Sequence, residues 1–203
     1  MKLILASGSP RRKELLAKIT KEFTVLPSDY DESILQNTLT DPAELVKQLA
    51  FHKAEDSWKH HFSEEKQDYV IIGSDTLVYF EGTILGKPKD KQDAISTLQK
   101  IQNKVNSIYT GMCMIIQQDG QVFTKNWYEK ADVYMKPMSE KEIIEYVESG
   151  EPLDKAGSYA IQGIGKKYIQ KLIGDFDTAV GLDTKGLTKM LKHYQIIEGE
   201  KGC

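Results

Sequence analysis

The sequence is almost devoid of arginine. Only two of its 27 Lys and Arg residues are arginines, and these two, Arg11 and Arg12, are neighbours. A strongly basic surface for nucleic acid is not expected, because the formal net charge is −3. No apolar run approaches the roughly 20 residues that a membrane-spanning helix needs, and the start lacks the pattern of a secretory signal. We therefore expect neither nucleic acid nor a membrane among the partners.

Cysteine is scarce as well. The two cysteines are Cys113, in a predicted strand, and Cys203, the last residue, so no disulfide framework is indicated. The simplest expected location is the reducing cytoplasm. With 203 residues, 40% of them hydrophobic and 28% charged, the composition is typical of a soluble globular protein. We expect one domain over residues 1–203, large enough for two lobes.

Several catalytic signatures are missing. The chain has no HExxH motif and no Cys–His spacing typical of zinc, and it lacks GxxxxGK[ST], GxGxxG and GxSxG. Hydrolysis through a serine or cysteine nucleophile is therefore not expected. Acids, lysines and the two arginines remain, and these residue types suit metal-assisted attack of water on a phosphate.

The apolar pattern predicts alternating strands and helices with one β-hairpin, and hence an α/β fold with a mixed sheet. Strands are predicted at residues 3–6, 69–80, 107–116, 121–135, 158–162 and 167–174. Helices are predicted from Pro10 onward and over residues 41–59, 91–101, 139–150 and 184–194. Residues 60–68 form the most loop-like segment.

Residues 7–16, SGSPRRKELL, predict a helix start in which Ser9 is the N-cap and Pro10 the first helical residue. Arg11 and Arg12 then fall in the first turn, where the helix dipole disfavours cations. A guanidinium group binds phosphate or carboxylate in a bidentate manner, whereas lysine is a point charge. We interpret the segment as an anion site of serine hydroxyls, helix amides and two guanidinium groups. The alternative is a solvated basic helix start.

Asp75 interrupts the apolar strand IIGSDTLV, where an unpaired carboxylate would be costly to bury. In a functional interpretation it is a general base or a metal ligand on a rigid strand. Gly73 would allow a bend or a close approach there. The alternative is a structural aspartate that pairs with a lysine or caps a bulge.

Two further segments are weaker evidence for a functional site when each is taken alone. Lys87 lies in GKP, between a turn and a helix, and residues 152–163, PLDKAGSYAIQG, place Gln162 at a predicted strand end. An amide that both donates and accepts is suited to reading the edge of a nucleobase. Both segments are also compatible with ordinary loops.

Together these stretches resemble the Maf family of nucleoside triphosphate pyrophosphatases. The resemblance is carried by LILASGSPRRKELL, IIGSDTLV, LGKP, LDKAGSYAIQG and VGL, in this order. It implies an elongated mixed β-sheet with flanking helices and two lobes around a cleft, similar to the inosine triphosphate pyrophosphatases. It also implies cleavage of the α–β anhydride of a nucleoside triphosphate to the monophosphate and pyrophosphate, a divalent metal cation such as Mg²⁺ or Mn²⁺, and a homodimer.

The resemblance further implies roles for individual residues. Asp75 matches the proton acceptor that activates the attacking water, and Glu32 matches an acidic position that serves the metal or the water; we expect both at the metal. The residues expected to bind substrate are Ser7, Ser9, Arg11, Arg12, Lys53, Thr76, Lys87 and Gln162. Among these, Lys53 and Lys87 are expected to neutralise phosphate charge. Thr76 and Gln162, together with Arg11, are expected to choose the base.

The same motifs point to one branch of the family. Members that act on dTTP and UTP resemble SPRR, DT and IQG, which are all present here. The branch that acts on 7-methyl-GTP tends to have an inserted tryptophan in the first motif, DQ in the second and an acidic residue at the position of Gln162. YTGM, at 109–112, and Asp183 depart from the family pattern. We expect neither to touch the chemistry, although Asp183 could alter the start of the last helix.

Two alternatives stay open at this point. The first is the same reaction on another base, such as 7-methyl-GTP or a modified pyrimidine. The second is a regulator of cell division that binds nucleotide or a partner without turnover, for which the sequence shows no conspicuous exposed patch.

Overall fold

The computed structural model describes residues 1–36, 39–62 and 67–198. Cys203 and part of the loop predicted at residues 60–68 lie outside the described residues. Within the described parts of the chain, every helix is too short or too polar to span a membrane.

Seven strands of the described residues form one mixed sheet, so the predicted α/β fold is confirmed. They are β1 (Lys2–Leu5), β2 (Thr24–Val25), β3 (Tyr69–Phe80), β4 (Thr83–Leu85), β5 (Val105–Gln118), β6 (Gln121–Met135) and β7 (Ile169–Ile173). The order is β2-β1-β3-β5-β6-β7, with β4 paired to β3. β1 runs parallel to β2 and β3, and the other pairs are antiparallel. At the predicted hairpin, Asp119 and Gly120 take the left-handed conformation that a two-residue turn requires.

The helices flank this sheet, and all but α2 begin at a side-chain cap. They are α1 (Pro10–Leu16), α2 (Ser33–Gln36), α3 (Pro42–His61), α4 (Lys91–Ile101), α5 (Glu140–Glu148), α6 (Phe176–Val180) and α7 (Thr184–His193). Ser9, Asp41 and Asp90 accept backbone N–H groups of α1, α3 and α4. The predicted capping box of Ser139 and Glu142 is present at α5. The short elements β2, β4, α2 and α6 were not predicted.

The strand predicted at residues 158–162 is wrong. Gly157 and Ser158 have φ angles of 69° and 59°, which turn the backbone away from an extended path. The N–H of Ala160 then donates to the hydroxyl of Tyr146, at 3.0 Å, instead of to a neighbouring strand. This segment lies between short 3₁₀ turns at Ala156–Ser158 and Gly163–Tyr168.

The two faces of the sheet pack against different helices. On one face, Ile71 belongs to a buried cluster with Ala50 of α3. On the other, Ile72 packs in a cluster with Leu16 of α1 and with residues of α7. Further along the sheet, Val78 belongs to a third cluster that includes residues of α4 and α5. Alternate side chains of β3 therefore reach opposite layers of the molecule.

Among the described residues, no strand pairs with one edge of β3 over residues 73–77, which we call the strand gap. β1 pairs with β3 only as far as Ile72, and β4 pairs with it only from Val78. On the opposite edge, β5 pairs with β3 from Tyr69 to Tyr79. Asp75 and Thr76 therefore lie where the sheet is open on one side and rigid on the other.

Two glycines let α3 lie directly on the sheet beside the strand gap. A Cβ atom at Gly73 would lie 2.1 Å from the carbonyl oxygen of Ala50, and one at Gly111 would lie 2.1 Å from that of Val46. Real side chains essentially never approach a backbone this closely. The contact fixes the height of α3 above β3, and therefore the position of Lys53 one turn further along.

We predict that Gly73→Ala destabilises the protein by roughly 1–3 kcal/mol, because the added methyl group overpacks the contact with α3. Urea unfolding followed by circular dichroism measures the change. Gly86→Ala is the matched control, since a Cβ there meets no atom within 4 Å. Equal unfolding free energies for the two variants would contradict the close-contact account.

Candidate active site

The side chain of Arg12 is held by three hydrogen bonds at the strand gap. Nε donates to the carbonyl of Gly181 at 2.9 Å, Nη1 to Ser7 Oγ at 3.2 Å and Nη2 to Thr76 Oγ1 at 3.2 Å. The backbone N–H of Arg12 also donates to the N-cap side chain of Ser9. The start of α1, the strand gap and the end of α6 therefore meet at one guanidinium group.

Arg11 differs from Arg12 in its contacts. Within the described parts of the chain its guanidinium group has no hydrogen-bond partner, whereas Arg12 has three. The pKa of the Asp154 carboxyl is lowered chiefly by its hydrogen bond from Lys155, with a smaller contribution from the charge of Arg11. Arg12, not Arg11, therefore contacts Thr76.

Asp75 is a buried carboxylate paired with a lysine. Lys53 Nζ of α3 lies 2.5 Å from Asp75 Oδ1 and 2.6 Å from Glu32 Oε1, so one ammonium group joins two carboxylates. Burial raises the pKa of Asp75, while the charges of Lys53 and Arg12 oppose that rise. The carboxyl group is therefore a stronger base than an exposed aspartate.

The contact with Lys53 agrees with the structural alternative, in which Asp75 simply pairs with a lysine. Its surroundings agree with the functional interpretation. Asp75 lies at the unpaired edge of β3, and Lys53 is shared with Glu32, whose side chain is 44% exposed. A pair with only a structural role would not require the second carboxylate or the open edge.

Thr110 is a contact of this site that the sequence interpretation missed. Its Oγ1 lies 3.0 Å from Thr76 Oγ1 and 2.8 Å from the carbonyl oxygen of Thr178. Thr110 is part of YTGM, which was expected not to touch the chemistry, and the structure places it one hydrogen bond behind Thr76, an expected substrate-binding residue. A threonine in an apolar strand is too common to have marked the contact.

The other departure from the family pattern behaves as expected. Asp183 caps α7, where its side chain accepts the N–H of Gly186 at 2.9 Å. It also accepts the indole N–H of Trp127 at 2.9 Å. The carboxylate thus determines the start of the last helix and ties it to β6.

The two loop residues predicted for substrate binding are exposed. The loop of Lys87 is joined to the following motif by a hydrogen bond from the N–H of Gly157 to the carbonyl of Gly86, at 3.1 Å. Gln162 precedes the 3₁₀ turn that begins at Gly163. Within the described residues, no hydrogen bond joins either side chain to Asp75 or Arg12.

Glu151 positions the loop that carries Gln162, and sequence reasoning missed it. Its carboxylate accepts the N–H groups of Ile164 and Gly165 at 2.9 and 2.8 Å, and the hydroxyl of Tyr146 at 2.8 Å. Ile164 and Gly165 lie more than ten residues from Glu151 along the chain, and Tyr146 belongs to α5. No local sequence pattern could therefore have revealed these contacts.

Glu32 and Asp75 are suited to a hard cation. The described residues contain no group of three or more His, Cys, Asp or Glu side chains that could hold a metal by themselves. Magnesium, however, is usually bound through one or two carboxylates together with the phosphates of a substrate. The two carboxylates that converge on Lys53 provide such a donor set.

The charges around the strand gap favour an anionic ligand. Arg11, Arg12 and Lys53 supply three cations, and Glu32 and Asp75 supply two carboxylates. Guanidinium groups recognise phosphate oxygens particularly well. The arrangement is that of an α/β protein with a site suited to a phosphorylated ligand.

Comparison with known proteins identifies the family. The model of the Maf-like protein family matches residues 2–194, and the chain therefore belongs to the Maf family. It is 43% identical to a dTTP/UTP pyrophosphatase of Caldicellulosiruptor bescii, with 98% of each chain covered. It is 40% identical to a dTTP/UTP pyrophosphatase of Bacillus cereus over 96% of each chain, and 38% identical to one of Aquifex aeolicus over 98%.

Two solved structures show partial similarity to this chain. A dITP/XTP pyrophosphatase from Mycobacterium abscessus aligns over 98% of this chain and all of its own, with a TM-score of 0.43 and 14% identity. The Ham1 protein of Staphylococcus aureus aligns over 96% of this chain and all of its own, with a TM-score of 0.45 and 14% identity.

We predict that the Asp75 carboxyl titrates above the ordinary aspartate pKa of about 3.9. Removing the opposing cation with Lys53→Met should raise this pKa further, and removing a like charge with Glu32→Gln should lower it. Carboxyl ¹³C NMR titration of the free protein measures both shifts. Lys13→Met, an exposed lysine of α1, is the control that should leave the titration unchanged. Shifts of the same sign in both site variants would contradict the electrostatic account.

Proposed function

We propose that this protein hydrolyses dTTP and UTP to the nucleoside monophosphate and pyrophosphate. The observation that carries the proposal is the meeting of a clamped Arg12 and a buried Asp75 at the strand gap, in a chain of the Maf family. Nearly full-length relatives named dTTP/UTP pyrophosphatases support the choice of substrate.

The triphosphate binds where α1 begins. Arg12 uses three of its five N–H groups on protein acceptors, which leaves two for phosphate oxygens. Arg11 has no competing hydrogen bond within the described residues, and Ser7 and Ser9 add hydroxyl groups nearby. Lys87, on its exposed loop, reaches the phosphates when the nucleotide is bound.

Asp75 acts as the general base. Its burial raises the pKa, so the carboxylate accepts the proton of a water more readily than an exposed aspartate would. Lys53 keeps Asp75 oriented and neutralises charge as the α-phosphorus is attacked in line with the departing pyrophosphate. The bond between the α-phosphorus and the bridging oxygen breaks and releases pyrophosphate, while the bond between the water oxygen and the α-phosphorus forms.

Glu32 and Asp75 would hold a divalent cation, Mg²⁺ or Mn²⁺, together with phosphate oxygens of the substrate. When bound, such an ion supplies neutralisation of the phosphate charge. Lys53 lies between both carboxylates, so it helps to keep them together before the nucleotide arrives.

Thr76 and Gln162 determine which base the site accepts. Arg12 is the better candidate for the third member of this group, because it contacts Thr76 and Arg11 does not. Gln162 lies on an exposed loop held by Glu151, from which its amide can approach a bound base.

Four further properties are part of the proposal. We infer a homodimer located in the cytoplasm, with no nucleic acid as a partner and the whole chain as one Maf-like domain. The resemblance supports the dimer, and the net charge of −3 argues against nucleic acid. Reaction on another base, such as 7-methyl-GTP, and nucleotide binding without turnover are the competing functions.

Asp75→Asn should lower turnover of dTTP and UTP by roughly a hundredfold or more, because the amide keeps the shape of the carboxylate but cannot accept the proton. Pyrophosphate release from dTTP, UTP, CTP, 7-methyl-GTP and dITP, with Mg²⁺, Mn²⁺ or a chelator, measures the loss together with the base and metal dependence.

The panel also separates the competing functions. Turnover of 7-methyl-GTP alone would retain the mechanism and reject the pyrimidine assignment. Nucleotide binding without pyrophosphate release from any triphosphate would favour the binding protein. Near-normal turnover in a folded Asp75→Asn variant would overturn the role of Asp75.

Gln162→Glu should lower kcat/KM for UTP relative to 7-methyl-GTP, because a carboxylate can only accept where the amide also donates. Steady-state kinetics on the two nucleotides measure the ratio. Gln121→Glu, at the exposed hairpin, adds the same charge far from the site and should leave the ratio unchanged. The same change of ratio in both variants would show that net charge, not base reading, is responsible.

A further inference from the structure

A row of hydroxyl groups lies behind Arg12, and it continues into the core. Arg12 Nη2 contacts Thr76 Oγ1 at 3.2 Å, Thr76 Oγ1 contacts Thr110 Oγ1 at 3.0 Å, and Thr110 Oγ1 contacts the carbonyl of Thr178 at 2.8 Å. Thr110 is fully buried, whereas Thr76 is half-buried at the strand gap. Only the first hydroxyl of the row can therefore meet a ligand.

The hydroxyl protons of Thr76 and Thr110 can be arranged in only one way along this row. A carbonyl oxygen only accepts, so at 2.8 Å the proton between Thr110 and Thr178 must belong to the hydroxyl of Thr110. Thr110 has no second proton, and the proton between the two threonines therefore belongs to Thr76. Arg12 has only donors, and it fills one lone pair of the Thr76 oxygen.

This direction determines what Thr76 offers to a ligand. Its proton is directed inward to Thr110 and one lone pair is taken by Arg12, so the remaining lone pair is all that Thr76 can offer to a ligand at the strand gap. Thr76 can then accept a hydrogen bond from a bound base but cannot donate one. Uracil and thymine carry an N–H donor at ring position 3, whereas cytosine carries a lone pair there.

We propose that Thr110 is a positioning residue that fixes Thr76 as an acceptor, and that it thereby makes the site favour uracil and thymine over cytosine. The inference rests on the proposed function, because it places the base beside Thr76. Thr110 acts only through Thr76 and touches neither the base nor the phosphates.

Thr110→Val tests the inference with little change of shape. The carbonyl of Thr178 keeps a second donor, the N–H of Gly181 at 3.0 Å, so the substitution leaves no carbonyl without a hydrogen bond. The hydroxyl of Thr76, released from Thr110, can turn its proton toward the lone pair of cytosine. We expect the ratio of kcat/KM for CTP over UTP to rise by about tenfold or more, since polar mismatches dominate such discrimination.

Two variants control for a merely structural effect. Thr110→Ser retains the hydroxyl and should keep the wild-type ratio. Ser107→Ala removes another hydrogen bond of β5, from Ser107 Oγ to Asp132 Oδ1 at 2.6 Å, without any link to Arg12, and should leave the ratio unchanged. Thermal unfolding of each variant is measured alongside, and Thr110→Ala replaces Thr110→Val should the latter fail to fold.

The outcomes distinguish this inference from the proposed function. If Thr110→Val slows UTP and CTP equally, so that the ratio is unchanged, the inference is overturned while the pyrophosphatase function stands. If the wild-type protein hydrolyses no triphosphate, the proposed function fails. Calorimetric binding of UTP and CTP then provides the same ratio: a preference for UTP that Thr110→Val abolishes supports the inference, and equal binding by the wild type overturns it.

Discussion

The structure depends on keeping a negative charge inside an apolar strand. Asp75 lies in the middle of β3 and is almost fully buried, a position that is costly for a carboxylate without a partner. Lys53 supplies that partner from the neighbouring helix, and Glu32 shares the same ammonium group. Burial still raises the pKa of Asp75. The protein therefore holds a carboxylate with a raised pKa in place at a cost to its own stability, as expected for residues that serve a reaction.

The backbone arrangement makes this pair possible. Gly73 and Gly111 allow α3 to contact the sheet without intervening side chains, so Lys53 reaches Asp75 from directly above. On the same strand, the strand gap leaves Thr76 accessible from the side where α1 presents Arg12. The rigid partner strand β5 supports the gap from behind. One short segment of β3 thus brings a base, a cation and a hydroxyl group together.

The sequence predicted the long elements well, because their periodicity and caps are local. It predicted β3 and α4 with the bounds that the structure shows. It failed at residues 158–162, where contacts from distant side chains, such as the hydroxyl of Tyr146, replace strand pairing. For the site, a lysine partner for Asp75 was anticipated only as an alternative. The different surroundings of Arg11 and Arg12, and the contact of Thr110 with Thr76, depend on three-dimensional register, which no motif encodes.

The most direct test of the account is a crystal structure of the Asp75→Asn variant with UTP and Mg²⁺. The account predicts that the phosphates contact Arg12 at the start of α1, that the α-phosphorus faces residue 75 across the strand gap, and that the base lies beside Thr76. A nucleotide bound away from the strand gap, or one whose α-phosphorus points away from residue 75, would contradict it.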